Sequence, residues 1–372
     1  MTAAAELPPE AEDLHDGLEA VELIGVFFGV LDPSEWQRLA ANRHRQRGTG
    51  PGARSLTSLT ALELAVSGGP ADEASALARE ALEGETLLRG DGGVFSAGAA
   101  QVLALGEPAE GLAAWKRVGD WAREHRSGLN IVGADLWGGL TFVWAGDLPA
   151  AEASLQRAIE GEILWGTTMA AEMGYSAGFL ALTRLEAGDP VGARQALERT
   201  QADEGASDGA RFWRISKTEL LLAEGRFEEA LATTIEIERT RPPGTHPIWS
   251  PWRTQRARAL AGLGDREQAL ALAREELQLA RAIGSDWVIG RELRILGELE
   301  GEDGLEHLRE AVTLLSGTSA RLEHAKALAA LAAALTAAGR DDEARQPRAD
   351  ALALAERCGA LGLGRELAAA QS

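Results

Sequence analysis

FVWAGDLPAAEASLQRA, residues 142–158, sets out the plan of the chain. An apolar stretch ends at Gly146 and Asp147 follows. The small Ala151 comes five positions after the glycine, the large apolar Leu155 nine after, and the small Ala158 twelve after. Glycine adopts the left-handed backbone that stops a helix with no Cβ penalty, so it belongs just past a helix end. A small residue early in the next helix lets two helix backbones approach closely. A second one seven positions on lies two turns down the same face. The segment therefore predicts a helix A, a tight turn and a helix B.

The pattern recurs at Gly69–Ala74, Gly106–Gly111, Gly188–Ala193, Gly225–Ala230, Gly264–Ala269 and Gly339–Ala344. At Gly301 the small residue is Gly304, which predicts a turn two residues shorter. Successive glycines are 37 to 42 residues apart. Amphipathic helices are expected over 56–66, 212–224 and 325–338, each running up to one of these glycines. One helical pair cannot bury its apolar face alone, whereas stacked pairs share a continuous core. The expected fold is all-α, a helical-hairpin solenoid of about eight repeats over residues 55–372. Two further helices, about Ala11–Val30 and Ser34–Arg43, would form an N-terminal cap and linker over 11–54, with residues 1–10 a disordered tail. Two links stand out as interrepeat loops: Thr240–Pro251, with four prolines, and the acidic Gln201–Gly209.

Composition narrows the function classes. The chain has 372 residues, 45% of them apolar, and a net charge of −20. Such a polyanion is repelled by nucleic acid unless it carries a basic patch. The densest basic run, Arg43–Arg54, is short and glycine-rich and reads as a solvated linker. The longest apolar run, Leu23–Leu31, is too short to span a bilayer. With one cysteine, Cys358, no intrachain disulfide can form, and a cytoplasmic location is expected. No direct nucleic-acid or membrane binding is expected.

Chemistry is sparse. His15, His44, His125, His246, His307 and His324 make no HExxH or other ligand spacing, and are expected to be solvated or capping. There is no CxxC, no GxSxG and no GxxxxGK[ST]. Carboxylates are expected to pair with arginine at helical spacing, as at Arg79/Glu83. The residues thus predict neither catalysis, nor a metal, nor a cofactor, but binding.

The repeat resembles the tetratricopeptide repeat, most fully at Phe142, Gly146, Ala151, Leu155 and Ala158. The stretches 304–360 (GLEHLREAVTLLSGTSARLEHAKALAALAAALTAAGRDDEARQPRADALALAERCGA) and 14–33 (LHDGLEAVELIGVFFGVLDP) are similar to the repeat region of LuxR-type large ATP-binding transcription regulators, the MalT-like group. The resemblance implies a right-handed superhelix whose A helices line a concave groove. It implies a sensor or regulatory arm separated from its ATPase and DNA-binding modules; a free-standing scaffold bridging protein partners is the alternative. On that register Tyr175, Phe212, Arg258, Arg291 and Lys326 would face the groove, with Trp137 nearby and Trp213, Trp252 and Trp287 early in their A helices, together a candidate site for a peptide, protein or small organic ligand. Exposed solenoid ends self-associate, so a homodimer is one expected state.

Overall fold

The computed structural model describes residues 11–27, 34–45, 48–90, 93–165, 174–200, 207–240 and 245–369. The tail expected over 1–10 and the link from Gln201 to residue 206 fall outside them. Among the described residues everything regular is helix, with no strand. Two helices, α1 (Glu12–Leu23) and α2 (Glu35–Ala40), precede the first hairpin. The A helices are α3 (Pro51–Val66), α6 (Val94–Gly106), α8 (Gly128–Ala145), α10 (Tyr175–Glu186), α12 (Asp208–Ala223), α14 (Trp252–Gly262), α16 (Asp286–Glu300) and α18 (Arg321–Ala337). Their B partners are α4 (Ala71–Ala81), α7 (Pro108–Glu124), α9 (Leu148–Trp165), α11 (Pro190–Leu197), α13 (Phe227–Thr240), α15 (Arg266–Ile283), α17 (Leu305–Ser316) and α19 (Asp341–Cys358). A short α5 (Thr86–Gly90) joins α4 to α6, and α20 (Leu361–Ala369) follows α19. Helices pack on their neighbours along the chain, and across the short α5 it is α4 that packs on α6.

The hairpin turns follow from two residues. Gly146, Gly188, Gly225, Gly264 and Gly339 have φ between +70° and +88°. The residue after each donates its N–H to the carbonyl five back: Asp147 to Phe142, Asp189 to Arg184, Arg226 to Leu221, Asp265 to Leu260 and Arg340 to Leu335, at 2.8–2.9 Å. Where that residue is aspartate it also starts the next helix. The Asp147, Asp189 and Asp265 carboxylates accept from the N–H groups of Ala150, Gly192 and Gln268. Gly301 instead enters a 3-10 turn, Gly301–Gly304, matching the shorter spacing. Two turns differ from expectation. At the first, the left-handed residue is Gly68, and Gly69 donates to Leu64. At the second, Gly106 is the last residue of α6, and Glu107 breaks the helix with φ −151° because Pro108 forces its predecessor to be extended.

The small residues are where backbones meet. Ala74, Ala151, Ala193, Ala230, Ala269 and Ala344 are all buried. A Cβ on Gly111 would lie 2.4 Å from the Ala104 Cα on the facing helix. Gly111→Val therefore costs about 1–3 kcal/mol or more through overpacking, seen as a lower urea midpoint. Gly133→Ala, in α8 with nothing within 4 Å of its Cβ position, stabilises by about 0.5–1 kcal/mol and so raises the midpoint. Equal effects of the two would contradict the close-approach role.

The array curls until it touches itself. Thr245 and His246 donate their backbone N–H to the Val66 carbonyl, and the Thr245 hydroxyl donates to Ser67 O. Ser285 Oγ donates to Gly106 O and Trp287 Nε1 to Leu105 O. Arg321 Nε donates to Ala145 O, and Arg365 Nη2 to Gly188 O. In order, the C-terminal ends of α3, α6, α8 and α10 receive the loop before α14, the head of α16, the head of α18 and Arg365 within α20, 176 to 182 residues further on. Carbonyls left unpaired at helix ends find their donors here. This seam sets the A-helix ends of the first half against elements of the second, among them the heads of the A helices α16 and α18.

The basic run is only in part a solvated linker. Residues 51–54 belong to α3, and three of the arginines make ion pairs: Arg43 with buried Glu63 at 2.6 Å, Arg45 with buried Asp16 at 2.7 Å, and Arg54 with Glu83 at 2.9 Å. They fasten the cap, whose Asp13 accepts from the Ala53 N–H at the head of α3. Arg79 likewise pairs with Glu110 of the next hairpin, not with Glu83. The charges join repeats more than they decorate single helices.

Candidate functional site

The inner face of the curl has an aromatic part and an ionic part. Trp137 (α8) meets Tyr175 and Phe179 (α10) with ring centroids 5.1 and 5.2 Å away, Phe212 (α12) at 5.7 Å, and Trp249 at 6.0 Å in a stacked pair. Such tilted and stacked contacts are favourable ring packing. Tyr175 Oη donates to Asp208 Oδ2 at 2.9 Å, and Arg211 donates to Asp208 Oδ1 and to the Trp249 carbonyl. Burial and then Asp208 push the tyrosine hydroxyl well above its ordinary value.

These rings do not face an open groove. Tyr175, Phe212, Trp213, Trp252 and Trp287 are all core residues, and Trp137 packs on that core half-buried. Trp213 Nε1 donates to Leu197 O. Trp252 lies between the guanidinium groups of Arg253 and Arg256, 4.5 and 4.4 Å from its ring centroid. Trp287 is in the seam. Trp287 is covered across the seam, and the other rings by one another and by the adjacent helices.

Arg258, Arg291 and Lys326 do share one inner strip, but with partners. Arg258 and Gln255 both donate to Glu219, at 2.6 and 2.9 Å. Arg291 pairs with Glu292, which also accepts from Thr254 at 2.7 Å. Arg294 pairs with Glu323 at 2.8 Å, and Lys326 with Glu186 of α10 at 2.6 Å and with Glu323 at 3.3 Å. Burial opposes ionisation of Glu219, yet Arg258, Gln255 and Arg291 outweigh it and hold the carboxyl at about 2. Glu323 is held low in the same way by Arg294, Lys326 and Arg291, against burial. The strip is a lattice of satisfied charges across five helices, α10, α12, α14, α16 and α18.

Two buried titratable groups lie beside it. His246, in the seam loop, accepts the Ile248 N–H at Nδ1, and burial with the Arg291 charge lowers it to about 3, so it is neutral. It is a core histidine, not a solvated or capping one. Glu276 of α15 is raised to about 8 by burial and by Glu292, against the pull of Arg253 and Arg291. A carboxyl raised in the folded state contributes most below its unfolded value of about 4.3 and loses that contribution as pH climbs toward the folded value. Glu276→Gln, a mimic of the neutral acid, is therefore expected to raise the melting temperature by several degrees at pH 8.5 and to change it little at pH 4.5. A uniform effect at both pH values would exclude the titration.

Open space occurs at the C-terminal end. A cleft of about 630 Å³ runs between α16, α18 and α20. Its wall is small and apolar, with Gly297, Ala330, Ala333, Ala337 and Leu367, and Arg294, Lys326, Arg348 and Glu366 stand at its margins. Of the groove residues expected from the sequence, Lys326 lines this cleft. Among the described residues, no group of three or more His, Cys, Asp or Glu could hold a metal ion, and no helix is long and apolar enough to cross a membrane. The chain matches no known protein-family model, and no curated protein matches its sequence.

Proposed function

We propose that this chain is a non-catalytic array of about eight tetratricopeptide-like repeats, wound as a right-handed superhelix, which binds a peptide, protein or small organic ligand in the cytoplasm. It serves as the sensor or regulatory arm of a LuxR-type transcription regulator, with ATPase and DNA-binding work done by other modules. The observation that carries the binding reading is the alanine-walled cleft at the C-terminal turn. Its small side chains leave room for a ligand's apolar surface, and its charged margins can orient polar groups. The cleft borders α16 and α18, which also carry the ionic strip and the seam contacts, so an occupant there would bias how tightly the turns close.

The test is thermal stability of the purified chain against metabolite and peptide libraries, with Ala333→Trp as the filled-cleft control. Ala333 is exposed, so the larger side chain displaces no core packing, and unchanged helicity is the check that the variant folds. A true ligand at about a hundred times its Kd stabilises the wild type by about 2.7 kcal/mol and leaves the variant unmoved. Shifts that persist in Ala333→Trp would place the site elsewhere; no shift with any compound would sink the reading.

A further inference from the structure

The cleft between α16, α18 and α20 has a floor of one chemical kind. From Ala327 to Leu335 every residue of α18 is alanine or leucine. Ala329, Ala330, Ala333 and Ala337 line the cleft, with Leu367 of α20. Their side chains neither donate nor accept hydrogen bonds. A sugar, a nucleotide or an extended peptide laid on this floor would give up its water without replacement. An alkyl or aryl chain sheds only unfavourable contact with water. The apolar stretch between Lys326 and Thr336 is ten residues of helix, about 15 Å long. It suits an elongated chain more than a compact one.

The charges around the floor are not equivalent. Arg294 pairs with Glu298 and Glu323, and Lys326 with Glu186 and Glu323. Those cations are already satisfied within the protein. Arg348 of α19 stands half-buried at the margin, and its Nη2 donates to the Thr336 hydroxyl at 2.8 Å. Among the described residues no carboxylate pairs with it. A guanidinium presents five donors in a planar fork, so most of them remain for a ligand. Glu302 and Glu366 also line the cleft, but both are exposed. Charges standing in water contribute little to a pairing, whereas a half-buried cation already oriented by a hydroxyl contributes more.

We propose that the cleft takes an elongated amphipathic monocarboxylate, its apolar chain along the alanine floor and its carboxylate on Arg348. This rests on the cleft being the binding site, as proposed above, and adds the chemistry of its ligand. The carboxylate accepts two N–H groups of the guanidinium, a bidentate pairing that a hydroxyl cannot reproduce and an ammonium opposes. Each methylene added to the chain tightens binding until the floor is covered.

Isothermal titration calorimetry of the full chain with dodecanoate, below the concentration at which it forms micelles, tests this. Dodecanol and dodecyltrimethylammonium are the uncharged and cationic probes with the same chain. Dodecanoate is expected to bind the wild type, more tightly than decanoate by up to about tenfold. Arg348→Met, checked for unchanged helicity, weakens dodecanoate roughly tenfold to a hundredfold and leaves dodecanol unmoved. Ala333→Trp abolishes binding of both. Dodecanol bound as tightly as dodecanoate, dodecyltrimethylammonium bound more tightly, or no loss in Arg348→Met overturns the carboxylate assignment, while a loss in Ala333→Trp still keeps the ligand in the cleft. Dodecanoate that binds Ala333→Trp as well as the wild type removes the cleft as the site. No binding of dodecanoate to the wild type overturns the ligand class, and the cleft then stands or falls with the wider libraries.

Discussion

Replacing Trp287 with alanine lowers the free energy of unfolding by about 3–5 kcal/mol, the range for deleting a large buried aromatic, and loosens the curl as well. The side chain is 1% exposed, packs 5.9 Å from Trp144 of α8, and donates Nε1–H to the Leu105 carbonyl at 3.0 Å. One residue of α16 thus holds α6 and α8, from the other half of the chain. In an ordinary solenoid a core deletion harms one repeat and its neighbours. Here the loss also opens a contact between turns, so the radius of gyration from small-angle scattering should rise while helicity persists. Trp287→Phe separates the two contributions. It keeps most of the packing but leaves the Leu105 carbonyl without its donor, at about 1–3 kcal/mol. A Trp287→Ala protein with unchanged radius and a loss near 1 kcal/mol would mean that the seam contributes little.

The hairpins were legible in the sequence because their determinants are local. Gly146-Asp147 stops one helix and caps the next within two residues, and Ala151 and Ala158 mark the close face, whatever the rest of the chain does. The seam was not legible in this way. Whether residue 287 meets residue 105 depends on a small rotation per hairpin summed over several hairpins, and no single turn encodes that sum. The burial of Tyr175, Phe212, Trp213 and Trp252 was not legible either: their helices could be read, but not how closely the adjacent helices cover them. One signal did exist. From Gly52 to Val66 every residue of α3 is buried, and the face that should be wet carries mainly Ser55, Thr57, Ser58 and Thr60. Thr57 and Thr60 donate to carbonyls four residues back within the helix and can be buried at little cost, so a helix with so few long charged residues is one packed on all sides. The reach of Arg79 to Glu110, not Glu83, was hidden for the same reason as the seam. Spacing along one helix names candidates but does not place the neighbouring helix.

Arg291→Met tests the ionic strip, and pH decides how its result is interpreted. The guanidinium is 14% exposed and pairs with Glu292, which is 1% exposed, and its charge also helps hold Glu219 and Glu323 ionised. Removing one member of such a set leaves buried carboxylates without compensation and costs about 3–5 kcal/mol at pH 7. In the wild type, Glu219 sits at about 2 when folded, below the value of about 4.3 expected unfolded. Its contribution is therefore complete above that unfolded value and is lost as pH falls through the folded one. In the variant the same carboxyls lose a cation, their folded values rise, and they take up protons at milder acidity. The difference in stability between variant and wild type should thus be largest at pH 7 and shrink near pH 4, measured as urea midpoints. Arg291→Met with Glu292→Met, which removes both partners of the tightest pair, should recover part of the loss. An equal deficit at the two pH values, with no recovery in the double variant, would mean that Arg291 acts through its packed stem alone and that the strip's charges do not govern the curl.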